Sequence, residues 1–269
     1  MKNKTALPNI YLGVVLALMY LPILIVIIYS FNESKISSVW EGFSLRWYRE
    51  LFRDKDLVRS MVNSIILATL SSLCAAIIGT LAAVGMPRVN LPGKALMEYI
   101  STLPIMIPEI ILGMVFLTFF SLIGLPFGMA TLVIAHTTFC IPYVYMLVKA
   151  RLVGLDKSYA EAARDLGASE MRAFVDITLP AILPAVLSGM LLAFAMSFDD
   201  VVISVFVTGV NTNTLPLKIY TQLKTGLSPK INALCTIMFA VTLIVGLLSF
   251  WLNRSSSNKQ APVQVAEQD

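Results

Sequence analysis

The sequence predicts an all-α membrane protein with six transmembrane helices, and three observations lead to this fold class. Hydrophobic residues make up 57% of the 269 residues and charged residues 13%, whereas soluble domains carry about 25% charged residues. The mean hydropathy is +0.80. Apolar runs long enough to cross a hydrocarbon core, about 20 residues each, occur six times. We expect a chain of this length and composition to form a single membrane domain.

The predicted spans fall into two groups, one span near the N-terminus and five in a core, and a polar tail follows them. They lie at residues 10–31, 62–86, 99–120, 128–148, 182–207 and 234–252. We expect the first span to be a retained helix rather than a signal peptide, because it is long and no small-residue cleavage site follows it. Residues 1–61 then form an N-terminal span and its connection, residues 62–252 a membrane core, and residues 253–269 a disordered polar tail.

The first connection carries the charged segment RWYRELFRDKDLVRS. Its mixture of arginines and apolar residues predicts a short amphipathic helix outside the bilayer, and a solvated loop is the alternative. Lys and Arg number 11 on the side of the N-terminus and 9 on the other side, so the positive-inside rule slightly favours a cytoplasmic N-terminus. The net charge of +4 comes with no basic tract that would indicate nucleic-acid binding.

Small residues and prolines recur within the predicted spans. Ala75, Gly79 and Ala83 form one series at four-residue spacing, and Gly189 and Ala193 form another. Such residues allow helices to approach closely in lipid, so we expect a tightly packed bundle. Proline removes a backbone donor and tends to kink a helix. Prolines interrupt the spans at Pro22, Pro104, Pro108, Pro142 and Pro184.

The segment SYAEAARDLGASEMRAFVDITLP, between the fourth and fifth predicted spans, is polar yet closely patterned. Ser158 and Glu161 are spaced as a capping box at a helix start. Apolar residues follow at helical spacing, and Gly167 stands where a helix stop needs a left-handed residue. Ser169 is placed to cap a second short helix, after which Pro180 precedes the next span. The pattern predicts a helix, a glycine turn, a second helix and re-entry into the membrane.

A helix of about ten residues is marginal in water, so something must hold the first of these two helices. Its apolar stripe consists of Tyr159, Ala162, Ala163 and Leu166. A position on lipid headgroups is one interpretation, but two alanines bury little apolar area. Small residues allow close approach to a shaped protein groove, which favours docking to a partner protein.

The same segment resembles the EAA loop of permease subunits in ATP-binding-cassette importers. That pattern is Glu-Ala-Ala, three residues, Gly, nine residues, then Ile-x-Leu-Pro. It is met without a gap at Glu161, Ala162, Ala163, Gly167, Ile177, Leu179 and Pro180. The resemblance implies the type I ABC importer permease fold, in which this loop forms coupling helices that sit in a cleft of a cytoplasmic ATPase subunit. It also implies that both termini are cytoplasmic.

Segments along nearly the whole chain resemble the spermidine/putrescine permease subunits. They include SFNESKISSVWEGFSLRWYRELF, AHTTFCIPYV, SFDDVVISVFVTG and TLPLKIY. The resemblance implies a polyamine importer of the bacterial inner membrane. Its expected partners are a second homologous permease, two ATPase subunits that bind ATP and Mg²⁺, and a periplasmic polyamine-binding protein. This chain contains no G-x-x-x-x-G-K-[ST] phosphate-binding loop, so we expect it to have neither a cofactor nor enzyme activity of its own.

Carboxylates inside the predicted spans are the candidate residues of a substrate pathway. The third span contains Glu109 and the fifth contains Asp199 and Asp200, and neither span contains Lys or Arg. A charge at the bilayer centre costs about 2.5–3.5 kcal/mol, so such residues normally face the bundle interior and meet a cation. Polyamines are elongated cations; a hydrated outer mouth is the other interpretation of the aspartates. Adjacent helix positions point about 100° apart, so we expect only one aspartate to face the path.

Aromatic residues and the single histidine are further candidates near these acids. Phe194, Phe198 and Phe206 are close to the aspartates in sequence and offer aromatic faces to a cation. We interpret His136 as a polar residue packed inside the bundle, with a direct substrate role as the alternative. No metal-ligand spacing is present in the sequence.

Three other functions are weighed against a polyamine permease. One is a permease for another small cationic or organic solute, because the EAA pattern alone does not specify the substrate. Another is an ion-coupled secondary transporter, which predicts inverted repeats with broken helices in both halves, and the sequence offers no sign of these. The last is a membrane anchor for a soluble partner, which leaves the acids within the spans unexplained.

Overall fold

The computed structural model describes residues 6–35, 39–88, 92–156, 158–225 and 229–258, and most of them are helical. The helices are α1 (Ala6–Ser30), α2 (Arg46–Arg53), α3 (Lys55–Gly85), α4 (Lys94–Met106), α5 (Glu109–Leu122), α6 (Met129–Val153), α7 (Ser158–Asp165), α8 (Glu170–Ala173), α9 (Leu179–Asp199), α10 (Val202–Val207), α11 (Leu215–Thr225) and α12 (Pro229–Asn258). A 3-10 turn follows α3 at Met86–Arg88, and a π-helical turn joins α8 to α9 at Phe174–Thr178.

Among the described residues, five helical segments are long and apolar enough to cross a membrane. A sixth crossing results if α4 and α5, which are bent by 109° at their junction, count as one broken span. The five segments are Pro8–Ser30, Lys55–Arg88, Met129–Val153, Glu170–Asp199 and Pro229–Leu248. The predicted all-α membrane fold is therefore confirmed.

The chain divides into two compact units. One consists of Met1–Met61 with Leu215–Val241, and the other of Val62–Thr214 with Thr242–Asp269. The helices α3 and α12 contribute residues to both units because the unit boundaries fall within them.

In the first unit, α2 is the amphipathic helix that the sequence predicts. Trp47 and Leu51 of α2 are buried, and the Trp47 indole N–H donates to the Asn32 carbonyl at 2.7 Å. Lys230 donates to Asp54 at 2.8 Å. Burial alone would raise the pKa of Asp54, but the hydrogen bonds from Lys230 and from the Leu57 and Asp56 N–H groups, together with the charge of Lys230, outweigh burial and hold that pKa below its usual value. This ion pair joins the start of α12 to the turn between α2 and α3.

The second unit is closely packed around α6. Val144 of α6 is fully buried and lies against glycines of two other helices. A Cβ added at Gly79 of α3 would lie 2.9 Å from the Val144 Cβ, and one added at Gly189 of α9 would lie 3.2 Å from the Val144 Cα. The alanines of both predicted small-residue series are buried as well. The predicted tight packing through small residues is confirmed.

The prediction of one continuous third span is wrong. The helix α4 ends at Met106, Ile107 is extended with φ −82° and ψ 129°, and α5 begins at Glu109 after Pro108. A residue before proline avoids the helical conformation, and proline has no N–H with which to continue the hydrogen-bond ladder. Glu109 is therefore the first residue of a helix and not a residue within a continuous span.

The helix of the fifth span starts and ends earlier than predicted. It runs without a break from Glu170 to Asp199, so the second helix of the loop and the predicted span form one continuous helical segment. A π-helical turn comes just before Pro180, which cannot donate an N–H to the carbonyl four residues earlier. Asp200 is extended, with φ −65° and ψ 131°, and it ends α9. The residues predicted to complete this span form the separate helix α10.

The helix that contains the sixth span is longer than predicted. The helix α12 continues to Asn258, so the first residues of the predicted disordered tail are helical. The remainder of that tail, residues 259–269, lies outside the described residues.

Replacing Gly79 with alanine is expected to destabilise the second unit. The new Cβ would meet Val144 at 2.9 Å and the Ile141 carbonyl oxygen at 3.1 Å, and overpacking of this kind costs about 1–3 kcal/mol. We expect the thermal unfolding temperature in detergent to fall. Gly246→Ala is the matched control, because a Cβ there meets nothing within 4 Å and alanine favours helix formation. Equal unfolding temperatures for the two variants would contradict this account of the packing.

Candidate functional site

The EAA loop (residues 158–180) begins with α7, whose cap differs from the predicted one. Ser158 is the first helical residue, and Asp156 Oδ1 accepts its backbone N–H at 2.9 Å. This hydrogen bond and one from the Ser158 hydroxyl lower the pKa of Asp156. The spacing of Ser158 and Glu161 predicts that Ser158 supplies the capping oxygen, and this is wrong because Asp156 supplies it.

The predicted glycine stop of α7 is confirmed. Gly167 has φ +89°, a left-handed conformation that glycine adopts without a Cβ penalty. Its N–H donates to the Arg164 carbonyl at 2.9 Å, and the Ala168 N–H donates to the Ala163 carbonyl at 3.0 Å. These two hydrogen bonds form a Schellman motif, which satisfies the last carbonyl groups of α7.

The second helix of the EAA loop is capped as predicted and contacts the membrane helices. Ser169 Oγ accepts the Arg172 N–H at 3.3 Å. The Arg88 guanidinium lies 5.7 Å from the centre of the Phe174 ring, a cation–π geometry. The loop thus contacts the turn after α3 through Phe174, which lies where the loop continues into α9.

Three large apolar side chains of the EAA loop are exposed. Leu166 is 90% exposed, Met171 71% and Tyr159 68%. Of the seven residues of the EAA pattern, Ala163, Ile177 and Leu179 are half-buried and the other four are exposed. These exposed apolar residues are available to a partner protein or to lipid headgroups.

A cleft of about 640 Å³ lies beside the EAA loop. Charged residues of both signs line it, among them Arg88, Lys149, Glu161 and Arg164. Lys149 of α6 forms an ion pair with Glu98 of α4 at 2.8 Å. The loop, the end of α6 and the turn after α3 therefore border one cleft, in which charged side chains lie among apolar ones.

The three predicted pathway acids occupy two environments. Glu109 is exposed at the first position of α5, and Asp199 is exposed at the last position of α9. Asp199 interacts electrostatically with Glu109 and Asp200, and Tyr143 of α6 interacts with Glu109. Asp200 is only 8% exposed. Glu109 and Asp199 are therefore both accessible, and their charges interact, whereas the Asp200 side chain is buried.

The aromatic residues near these acids take part mainly in packing. Phe198 is 1% exposed and stacks on Phe194, with ring centres 5.8 Å apart. Phe206 of α10 packs so closely on Gly113 of α5 that no room remains for a Cβ. The prediction that Phe198 offers its face to a cation is therefore wrong, whereas Phe194 and Phe206 are half-buried.

A buried polar network around His136 was not predicted from the sequence. His136 Nδ1 lies 2.8 Å from Ser197 Oγ, and His136 Nε2 lies 3.2 Å from Ser204 Oγ and 3.4 Å from Asp200 Oδ2. Ser197 Oγ lies 2.8 Å from Ser71 Oγ. All five side chains are buried, so the interpretation of His136 as a packed polar residue is confirmed. The one signal in the sequence was the presence of serines within otherwise apolar helices.

A bundle of membrane-crossing helices with a capped, exposed EAA loop places this chain in the class of transport permeases. The family model for the binding-protein-dependent transport system inner membrane component matches residues 75–259. The chain belongs to this family and is a multi-pass membrane protein.

Two similar proteins extend the comparison beyond the family model. The chain is 40% identical over 256 residues to the spermidine/putrescine transport system permease protein PotC of Haemophilus influenzae, covering 95% of this chain and 100% of that protein. It is 42% identical over 241 residues to the putrescine transport system permease protein PotI of Escherichia coli, covering 87% of this chain and 86% of that protein.

Solved structures share the fold at much lower identity. A bacterial alginate ABC transporter in complex with an alginate pentasaccharide-bound periplasmic protein matches with a TM-score of 0.69 at 17% identity, over 95% of each chain. An amino acid ABC transporter with histidines matches with a TM-score of 0.61 at 16% identity, over 79% of this chain and 100% of that chain. At such identities the likeness concerns the fold alone, and it confirms the type I ABC importer permease fold.

Replacing Gly167 with valine is expected to loosen the end of α7. A Cβ at this position meets nothing within 4 Å, so the strain comes only from the left-handed backbone, which costs a non-glycine residue about 1–2 kcal/mol. We expect the α7 amides to exchange hydrogen roughly five- to thirtyfold faster in detergent. Gly167→Asn is the matched control, because asparagine tolerates this conformation. Equal exchange rates in the two variants would contradict the prediction.

Proposed function

We propose that this chain is a transmembrane permease subunit of an ATP-driven importer for polyamines, with putrescine, spermidine or both as substrates. The observation that carries the proposal is the identity of 40% and 42% to two polyamine permeases over most of the chain. The exposed carboxylates of Glu109 and Asp199, whose charges interact, support the same substrate class, because polyamines carry several positive charges.

In this proposal the two exposed carboxylates replace part of the water that a polyamine sheds on entering the membrane. A hydrogen bond between charged groups contributes about 1.5–3 kcal/mol, which offsets part of the cost of moving a cation away from water. Glu109 starts α5 and Asp199 ends α9, so both acids are carried at the ends of rigid helices. Tyr143, which interacts with Glu109, provides a neighbouring phenol group.

We further propose that the EAA loop is the contact to a cytoplasmic ATPase subunit, which binds ATP and Mg²⁺. Support comes from the capped helix, its glycine stop and the exposed apolar side chains on the loop. This chain then supplies no catalytic residue. The residues assigned to coupling are Glu161, Ala162, Ala163, Gly167, Ile177, Leu179 and Pro180.

The EAA loop also sets the proposed orientation and assembly. A cytoplasmic loop between α6 and α9 is the basis for assigning both termini to the cytoplasm. A periplasmic polyamine-binding protein then delivers the substrate on the opposite side, and the family description supports dependence on a binding protein. The complete importer contains this permease, a second homologous permease and two ATPase subunits.

Uptake by the complete importer reconstituted in liposomes tests the proposed substrate. The importer contains this chain, its cognate second permease, its ATPase subunits and its binding protein. We expect ATP-dependent accumulation of radiolabelled putrescine or spermidine. Transport of a different small cationic solute with no uptake of either polyamine would reject the polyamine assignment and favour the broader class of ABC permease.

Amide substitutions of the exposed acids are expected to reduce polyamine uptake while the importer still assembles. Glu109→Gln and Asp199→Asn preserve the side-chain shape but remove the charge. Loss of a charge-assisted contact corresponds to roughly a ten- to hundredfold loss of affinity. Glu33→Gln is the control, because Glu33 is an exposed acid outside the membrane-crossing segments. Parental uptake rates in both acid variants would assign the two carboxylates to a hydrated surface instead.

Reversing the charge of Glu161 is expected to uncouple the permease from its motor. Glu161→Lys places a cation in the first turn of α7, where the helix dipole disfavours it, and on the surface assigned to the ATPase. We expect uptake and co-purification of the ATPase subunits to be lost, with no change in the unfolding temperature. Glu41→Lys, at an exposed acid of the first connection, should change neither. Normal uptake together with normal ATPase co-purification in the Glu161→Lys importer would refute the coupling role.

A further inference from the structure

A buried hydrogen-bond network holds the break between α9 and α10. His136 of α6 lies between Ser197 of α9 and Ser204 of α10, at 2.8 Å and 3.2 Å. Asp200, in the break itself, has its Oδ2 3.4 Å from His136 Nε2. The His136 side chain is fully buried, and the Asp200 side chain is 4% exposed. One imidazole ring therefore contacts the chain on both sides of the break.

Asp200 satisfies the backbone where the helix starts again. Its Oδ1 accepts the Ile203 N–H at 3.2 Å, and its Oδ2 accepts the Ser204 N–H at 2.9 Å and the Ser204 hydroxyl at 3.0 Å. A carboxylate at this position compensates the free amide groups at the start of α10. The hydrogen-bonding capacity of Asp200 is thus used within the protein.

Asp199 lies between the points at which the network holds the chain. Ser197 comes two residues before Asp199 and Asp200 comes directly after it, and both contact His136. Ser197 is held from another side by Ser71 of α3, at 2.8 Å. The exposed carboxylate of Asp199 is therefore carried by a short stretch of backbone that three other helices restrain.

Packing alone does not account for a polar network at this place. Burying polar or ionised groups costs free energy, and a buried charged pair is typically no more stabilising than apolar residues of the same volume. A directional network does, however, define a single geometry, which is what a binding group needs from its surroundings. The geometry defined here is that of the backbone that carries Asp199.

We propose that His136 and Asp200 are positioning residues, which lock the break between α9 and α10 so that the Asp199 carboxylate is held in one orientation towards the substrate. This inference rests on the proposed role of Asp199 in polyamine transport. It gives Asp200 a role different from the one that the sequence suggested, because Asp200 acts through Asp199 and does not itself contact the substrate.

A double-mutant cycle in the complete importer tests the proposal. His136→Leu is expected to lower polyamine uptake roughly tenfold in the parental chain. In a chain that already carries Asp199→Asn, it should lower uptake by less than about twofold, because His136 acts through the Asp199 charge, which that chain has already lost. If His136→Leu prevents assembly, His136→Gln, which keeps a donor and an acceptor, takes its place. An equal effect of the His136 substitution in both backgrounds would overturn the proposal.

Thr138→Val is the matched control for this cycle. Thr138 lies on the same helix, two residues from His136, but its hydroxyl donates to the Ile134 carbonyl of its own helix at 2.7 Å. We expect Thr138→Val to leave uptake unchanged with Asp199 and with Asp199→Asn. A coupling of Thr138 to Asp199 as strong as that of His136 would show that the cycle reports general damage to α6, and this result would also overturn the proposal.

A second measurement does not depend on the substrate. In an importer that carries Asp199→Cys, the rate of labelling by a water-soluble maleimide, corrected for labelling of the chain without this substitution, reports the freedom of position 199. His136→Leu should raise that rate severalfold, and Thr138→Val should not. An unchanged rate overturns the positioning role even when the importer with Asp199 intact takes up polyamine normally. A raised rate, combined with no polyamine uptake by the importer with Asp199 intact, rejects the substrate assignment and supports the positioning role.

Discussion

The fold depends on one constraint: a backbone N–H or C=O group within a membrane has no water with which to form a hydrogen bond. A helix can therefore end there only where another group of the protein forms hydrogen bonds with its terminal N–H and C=O groups. In the second unit, α4 stops at Met106 and α9 stops at Asp199. Pro108 lies in the first break, and its carbonyl accepts two N–H groups from the first turn of α5. Asp200 lies in the second break and caps α10. Each satisfied break leaves a carboxylate, Glu109 or Asp199, exposed at a helix end.

Close packing around α6 explains how the second break keeps a defined geometry. Val144 of α6 is held between Gly79 and Gly189, whose missing side chains allow the helix backbones to approach closely. His136 lies on the same helix, about 12 Å along its axis from Val144. A helix that is clamped in its middle presents His136 at a fixed position, and the network around His136 in turn restrains the end of α9. The small-residue contacts and the polar network therefore act together.

Local rules predicted those features that a few neighbouring residues determine. Gly167 and Ser169 end and start helices as predicted, because a left-handed stop and a side-chain cap need only the adjacent turn. The broken third span was missed because apolar residues continue on both sides of Pro108, and a proline within a membrane helix does not by itself distinguish a kink from a break. The role of Asp200 was missed because its partner His136 lies on a different helix, and no local pattern reports a contact of that kind.

One continuous helical segment joins the EAA loop to the exposed acid of the proposed pathway. Residues Glu170–Asp199 form 30 consecutive helical positions, a length of about 45 Å. Near one end, Phe174 lies against Arg88 beside the loop, and the other end carries Asp199. The π-helical turn at Phe174–Thr178 is the one departure from α-helical geometry along this segment, and such turns allow a helix to adjust its register. In the proposed importer, a movement of the ATPase against the loop reaches Asp199 along α9. The network around His136 then determines whether that movement reorients the Asp199 carboxylate or only changes the conformation of the break between α9 and α10.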